Sequence, residues 1–438
     1  MRRNSQRNNE QGVVIILVAV VMLFVVGAMA ALSIDVVTIY TARSEAQLAA
    51  DGAALAGARV LANSGATSDT TGGLMASAWI LAKAVAIQVA EQNQVGGTYL
   101  TAAEIIVPAA PGGTNTNPTV TVSVRKTNLP TFFARIWGST QVTVGALATA
   151  EAYNPSGTNA LGVANPAPVA PVCVKPWLLP NLDPTTGGTT TIFTPASGAI
   201  TNAGLLGYNT LAVASRLHLS CGAPGTAKTT DCLLPLPPPT AWQYYPGDPD
   251  PASFPPPTQA LPTCAPALTT PYEESIAGCI QRPIACNSQV SIDTPPNNTR
   301  RTQTARAVNC LTHSGANKGD KVDTAAAPSP PFQFLAGDDN PIAGLAGSDV
   351  TVSDSLVTVP VFDVGTGPAF AVPANPVTIV GFVQLFLNPD GLATPPFGPN
   401  RGYVNTTVIN MAGCGAGFTG TPILGNGASP VAVRLITP

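Results

Sequence analysis

The run "VVIILVAVVMLFVVGAMAAL", Val13 to Leu32, is twenty residues without a charge, and it limits what the rest of the chain can become. As an α-helix it extends about 30 Å, the depth of a bilayer's hydrocarbon core. Arg2, Arg3 and Arg7 precede it with Glu10 as the sole acid, and the first charge beyond it is Asp35. That asymmetry predicts a single-pass membrane protein. Residues 1–12 stay cytoplasmic and everything after residue 32 lies outside the cytoplasm, in the periplasm or at the cell surface. The competing reading is a cleaved signal peptide, since "AMA" at Ala28–Ala30 has the small-x-small form that signal peptidase accepts. The apolar stretch outruns the roughly 7–15 residues of a secretory core, which favours a retained anchor.

Beyond the span, "SEAQLAADGAALAGARV" (Ser44 to Val60) is rich in alanine and poor in large apolar residues. From Ser33 to Leu61 there is no proline, and Gly52 and Gly57 are the sole glycines, so the membrane helix is predicted to continue outward as one rod. Unbroken from Val13 to Leu61, such a rod measures about 70 Å. Ala42, Ala46, Ala49, Ala53 and Ala56 alternate spacings of four and three and share one face. Arg43, Gln47 and Asp51 follow at i, i+4 on the neighbouring ridge. A stripe of small side chains lets a second backbone come close, and Gly27 with Ala31 continues it inside the membrane. The partner on that face is either the chain's own domain or another subunit, so self-association through it is one expectation beside contact with the lipid bilayer.

Gly12 to Arg59 as a whole resembles the TadG-like N-terminal domain of Flp (tight adherence, Tad) pilus-assembly proteins. The resemblance is carried by the order apolar span, Asp35, Tyr40, Arg43, Gln47, Asp51 and the closing Ala53 to Ala58. Gly52 stands where alanine is more usual in that family. The resemblance implies a membrane-anchored structural or assembly component whose partners are proteins of a Flp/Tad-type pilus or secretion apparatus. A polymerising major pilin fits less well: a prepilin cut after Gly12 calls for glutamate five residues on, and that position is Leu17. Shorter stretches, "PTFFARIWG" with "VTVGALATAEA" and later "VPVFD" with "VGFVQLFL", are similar to more distal parts of TadG-like proteins. The specific part of the likeness is residues 12–60.

The remainder reads as α+β. "LMASAWILAKAVAIQVAEQNQ" (Leu74 to Gln94) is predicted to be a second helix, packing on the first through Leu74, Ala78, Leu81, Val85 and Gln88/Val89. Pro118 to Thr127 and Gln141 to Tyr153 read as strands, with a short helical turn between them at Leu129 to Gly138. Residues 33–153 then form one extracytoplasmic module, 154–340 a Pro/Cys-rich irregular region, and 341–438 a C-terminal β-rich region. Strands are expected in the last at Asp349 to Val364, Val377 to Leu387, Tyr403 to Asn410 and Val431 to Ile436. Thirteen of the 37 residues from Pro235 to Pro271 are proline, which argues against long helix and central strands there. Trp242, Tyr244 and Tyr245 point to partial docking of that stretch.

All eight cysteines, Cys173, Cys221, Cys232, Cys264, Cys279, Cys286, Cys310 and Cys414, lie on the far side of the span. None forms a C-x-x-C pair and the chain holds two histidines, so disulfides are favoured over zinc ligation and over buried free thiols. Their connectivity stays open.

Little in the chain points to chemistry. With 10% charged residues and a net charge of −3, no basic surface for nucleic acid is expected. There is no G-x-x-x-x-G-K-S/T and no G-x-S-x-G, so neither nucleotide hydrolysis nor α/β-hydrolase chemistry has a foothold. "DVTVS" (Asp349 to Ser353) is the nearest approach to a D-x-S-x-S metal motif, but it reads as the inside of a strand, and Asp338-Asp339 reads as a solvated turn. His313 reads as a surface histidine without a defined acid partner. The expectation is a non-catalytic assembly protein without cofactor or metal. The alternative is a secreted or tethered adhesin or envelope enzyme using the Cys/Pro-rich region.

Overall fold

The computed structural model describes residues 4–108, 117–156, 166–207, 209–214, 220–221, 230–231, 242–247, 264, 267–280, 282–292, 298–313, 319–322, 330–365, 375–388, 404–418, 421–425 and 428–436. The elements used below run, in chain order, α1 (Asn4–Asn63), α2 (Met75–Glu91), β1 (Ile105–Ile106), β2 (Thr119–Pro130), β3 (Gln141–Tyr153), β4 (Trp177–Pro180), β5 (Asn209–Ala214) and β6 (Trp242–Pro246). They continue with α3 (Pro271–Ala277), β7 (Gln289–Val290), α4 (Asn298–Leu311), β8 (Lys321–Val322), β9 (Phe334–Leu335), β10 (Asp349–Val350), β11 (Leu356–Phe362), β12 (Val377–Leu387), β13 (Val404–Gly413) and β14 (Ala432–Ile436). The class is α+β.

α1 is the single rod that its composition calls for, 60 residues and so about 90 Å long. Its lower part, from Val13 on, is apolar and open, and it is the one described helix long and apolar enough to cross a membrane. The character changes at Asp35 and again at Ala42, where burial sets in. Ala42, Ala46, Ala49, Ala50, Ala53, Ala54 and Ala58 all join one core with α2 and a four-stranded antiparallel sheet ordered β14-β3-β2-β1. The open question about the small-residue face is thereby decided. The chain's own domain occupies it above Ala42, so the expected self-association through Ala46, Ala49 and Ala53 is corrected: no room is left there for a second copy.

The inward face of α2 holds the expected Ala78, with the expected Leu74, Leu81 and Val85 packed at its edge, and adds alanines that were not expected. Its fully covered positions are Ala78, Ala82, Ala86 and Ala90, with Trp79 beside them, while Leu81 and Val85 sit at the shoulder. The reason is close approach. A Cβ placed on Gly57 of α1 meets the Ala82 carbonyl oxygen at 3.1 Å, Val120 Cγ1 at 2.9 Å and the Ala86 Cβ at 3.3 Å, so glycine is called for on α1, opposite small residues of α2, where the two helices and β2 converge. β2 and β3 pair from Thr119↔Glu151 to Pro130↔Gln141, and β2 alternates inward valines (Val120, Val122, Val124) with outward polar residues, as its pattern predicts.

The second body is a closed ring of six strands. β12 pairs β11, β11 pairs β4, β4 pairs β6, β6 pairs β5, β5 pairs β13, and β13 returns to β12, with β7 added outside on β12. Two of these contacts, β4–β11 and β5–β6, are parallel. Alternate residues of five strands (Leu179, Tyr244, Val357, Val359, Val361, Val383, Leu385, Val408 and Met411 among them) converge in one cluster that α3 and α4 complete. Their neighbours on the other face, such as Leu178, Tyr245, Phe362 and Phe386, divide between two further clusters. One common cluster against two separate ones is what the inside and outside of a barrel produce.

The proline-rich stretch therefore contributes a central strand, contrary to its composition. "WQYY" is a proline-free island, and Pro246 falls at its last position, opposite Trp177. Trp177 and Tyr244 pack at 5.9 Å between ring centroids, Tyr245 and Phe362 at 5.7 Å. The expected strand from Asp349 to Val364 is broken: β10 belongs to a small sheet β8-β9-β10, residues 351–355 turn, and β11 enters the ring. Nor do the sheets follow the boundaries at 153 and 340. β14, from the chain's end, completes the first module's sheet through Ala432↔Tyr153 to Ile436↔Thr149, and the ring draws strands from both sides of residue 340.

Among the described residues three disulfides are formed: Cys173–Cys279, Cys264–Cys310 and Cys286–Cys414. No described cysteine is free. Cys221 stands in a two-residue strand, and Cys232 lies outside the described residues.

Candidate functional site

Asp35 is the first charge past the apolar span, and the fold gives its carboxylate one task. Oδ1 accepts the backbone N–H of Phe132 at 2.8 Å, and Oδ2 accepts those of Phe133 at 2.9 Å and Ala134 at 2.6 Å. These amides open the 3-10 turn Ala134–Trp137 in the connection from β2 to β3. The leading N–H groups of a helical turn have no partner within it, and an anion placed on them is a charge-assisted cap. Here the cap comes from another element nearly 100 residues away. The turn in "PTFFARIWG" is thus fastened to the rod within one helical turn of the span.

Further out, the remaining motif residues divide. Gln47 Nε2 donates to Asp51 Oδ1 at 2.7 Å and to the Leu147 carbonyl of β3 at 3.2 Å, holding the polar ridge to the sheet. Ala46, Ala49 and Ala53 are sealed beneath it. Tyr40 and Arg43 face outward, Tyr40 at 76% exposure. Sequence reasoning missed Glu45, whose carboxylate accepts the Gly96 N–H at 2.7 Å and so ties down the hairpin of Gln94–Val95 and Thr98–Tyr99. An acid off the apolar stripe, opposite a Gly-Gly turn, carried no distinguishing signal.

The upper end of the rod is held by a buried polar knot. Asn410 of β13 donates to the Ala62 carbonyl at 2.6 Å and to Thr67 Oγ1 at 2.7 Å, while Ser68 Oγ bonds Asn410 and the Met411 backbone. Asn154 Nδ2 reaches the carbonyls of Thr67 at 3.1 Å and Met411 at 2.8 Å. Asn63 donates to the Thr351 carbonyl and accepts from Gln384 of β12. The Ala62 carbonyl, left over where α1 ends, is thereby satisfied by a side chain of the ring. The rod is pinned at both ends of its covered part, at Asp35 and at Ala62–Ser68.

The other polar grouping lies at the C-terminal end of α4. His313 Nε2 stands 3.4 Å from Asp354 Oδ2, an acid partner the sequence did not reveal. The Asp354 hydrogen bond raises the imidazole pKa above its ordinary 6.5, partial burial opposing it. Burial pushes the Lys175 ammonium down to about 7, the charge of Asp354 opposing that shift, while Nζ donates to the Gly278 carbonyl. Of the "DVTVS" residues, Ser353 donates to Asp320 at 2.6 Å and Asp349 stands in β10, so they do not converge. Asp338 and Asp339 form an exposed turn. Among the described residues no group of three or more His, Cys, Asp or Glu is arranged to hold a metal.

Residues 12–60 match the Tad family model, TadE/G-like Flp pilus-assembly. The N-terminal segment, from the start of the apolar span almost to the end of α1, therefore carries a TadE/G-like domain. No curated protein and no solved structure matches the chain. The matched segment is the rod that bears Asp35, Gln47, Asp51 and the alanine face. The likeness accordingly concerns the anchor and its docking surface, and the ring of six strands lies beyond it.

Proposed function

We propose that this protein is a single-pass, non-catalytic assembly component of a Flp/Tad-type pilus or secretion apparatus. Its N-terminus is cytoplasmic and residues 33–438 lie outside the cytoplasm. The observation that carries the reading is mechanical: one helix runs without a break from the apolar span into the core of a folded module. A rigid rod with a double fastening transmits position, which is what a scaffold needs, while a flexible linker would lose it. The disulfides suit an oxidising compartment beyond the membrane. Partner recognition is assigned to the outward surface of the module and the ring, because the small-residue face is already used within the chain.

The test combines membrane fractionation, protease accessibility from each side of the membrane, and N-terminal sequencing of the mature chain. Carbonate-resistant membrane association with an intact Val13–Leu32 segment and externally accessible ring is expected. A mature chain beginning at Ala31 and released from the membrane sinks the proposal. Recovery with pilus-apparatus proteins after crosslinking tests the partner class, and recovery with none of them in a piliated cell contradicts it.

A further inference from the structure

We infer that the turn held by Asp35 is seated in the outer headgroup layer of the bilayer, with Phe132 inserted among the lipids, so that the folded module stands on the membrane surface. The inference rests on the membrane-anchored reading above and goes further, since an anchored domain can equally swing free of the surface.

Height comes first. Asp35 follows the last residue of the apolar span by three positions, about 4.5 Å along a helix axis. Headgroup and interfacial layers together add roughly 5–7 Å on each side of the hydrocarbon core. The three backbone N–H bonds to Asp35 therefore place the turn's backbone inside that layer whenever Val13–Leu32 spans.

Surface chemistry comes second. Phe132 is 57% exposed although its own backbone is pinned, so more than half of the residue stays open among the described residues. Ile34, Val36 and Val37 on the rod are likewise open, continuous with the bare apolar surface that begins at Val13. Arg135, three residues after Phe132, is exposed and supplies a cation for lipid phosphate. A recess of about 250 Å³ opens above the turn, running from Phe132 and Pro130 up the rod past Thr38 and Ala42 to Glu45. The patch continues the surface that the span presents to lipid, and this continuity selects lipid as the occupant over a second protein.

The experiment uses the full chain in native membranes, with the photocrosslinker benzoylphenylalanine placed singly at Val21, at Phe132 or at Ile342. Ile342 is 62% exposed and lines a groove beside Val60 and Asn63, some 40 Å further up the rod. Lipid adducts are expected at Val21 and Phe132 and none at Ile342. Adducts at Val21 with only protein adducts, or none, at Phe132 overturn the seating while leaving the anchor intact. An absence of lipid adducts at Val21 overturns the anchored reading itself and the seating with it. In a second variant, Asp35→Asn weakens the fastening, and the lipid-adduct yield at Phe132 should fall severalfold with Val21 unchanged. An unchanged yield removes the fastening as the cause of the seating.

Discussion

The rod module and the six-strand ring solve opposite packing problems. In the module, small side chains do the work: alanines of α1 face alanines of α2, and Gly57 lets the backbones approach. Most of its contacts join elements near each other in sequence, with β14 as the late arrival. No cysteine occurs before residue 173. The ring joins strands as far apart as Trp177–Pro180 and Leu356–Phe362, and two of its six contacts are parallel. Closing such long loops costs chain entropy before any contact compensates it, and this is the half that carries the three disulfides of the described residues. Close approach stabilises the one, covalent closure the other.

That contrast can be broken experimentally, and the largest effect should come from the crosslinks. Replacing Cys286 and Cys414 by alanine opens a bridge of sequence separation 128 and should cost about 4 kcal/mol. Hydrogen exchange should show β12 and β13 losing protection first while α1 and α2 keep theirs. Simultaneous loss in both bodies would show that they unfold as one and dissolve the distinction.

Gly413→Ala is next. A Cβ there lies 2.1 Å from the Gly198 carbonyl oxygen and 2.8 Å from the Phe193 ring, and backbone cannot rotate out of the way. Overpacking of this kind should cost about 3 kcal/mol in denaturant unfolding. Its counterpart in the module, Ala49→Leu, should cost about 2 kcal/mol by wedging α1 off the sheet, without affecting membrane insertion. Equal stability in that variant would mean the alanine face is looser than its complete burial implies.

Smaller effects sharpen the picture locally. Asp35→Asn should speed amide exchange at Phe132, Phe133 and Ala134 and leave the ring unchanged, since its bonds reach only that turn. The smallest concerns pH. The His313 pKa is raised in the folded chain, chiefly by its hydrogen bond to Asp354. Its contribution to stability is thus complete below the ordinary value of 6.5 and is lost as pH rises through the higher folded value. His313→Gln should flatten that part of the stability profile, and a variant whose profile matches the parent's would remove the pair from consideration.

Legibility followed the same division. The span, the rod and the strands read at Pro118–Thr127 and Gln141–Tyr153 follow from periodicity, because each buries a face whose spacing is set by its own backbone, although the first strand runs on to Pro130 and the turn begins later, at Ala134. Asp35, Gln47 and Asp51 stood out as polar residues in an apolar segment, yet their partners at Phe132–Ala134 and Leu147 are not written nearby. The face of α2 is legible in part: Ala78, Leu74, Leu81 and Val85 do meet the core, but its centre shifts to Ala82, Ala86 and Ala90, because the alanines of α1 favour alanine opposite them. The aromatic residues of "WQYY" point to docking, but a central strand there is hidden because composition averages over a window, and one proline-free island of four residues is enough for a strand. His313 and Asp354 are 41 residues apart, and no local pattern links them.

What the sequence determined alone is whatever a single segment settles with solvent or lipid. A charge-free run of membrane length, an unbroken alanine-rich helix beyond it, and cysteines confined to the far side all express local preference and compartment. The tertiary structure decided everything that depends on a partner distant in the chain: which surface covers the alanine face, what Asp35 holds, and how six short strands close on themselves. Those outcomes depend on shape and on unpaired backbone groups finding one another, and neither is encoded within the length of one element.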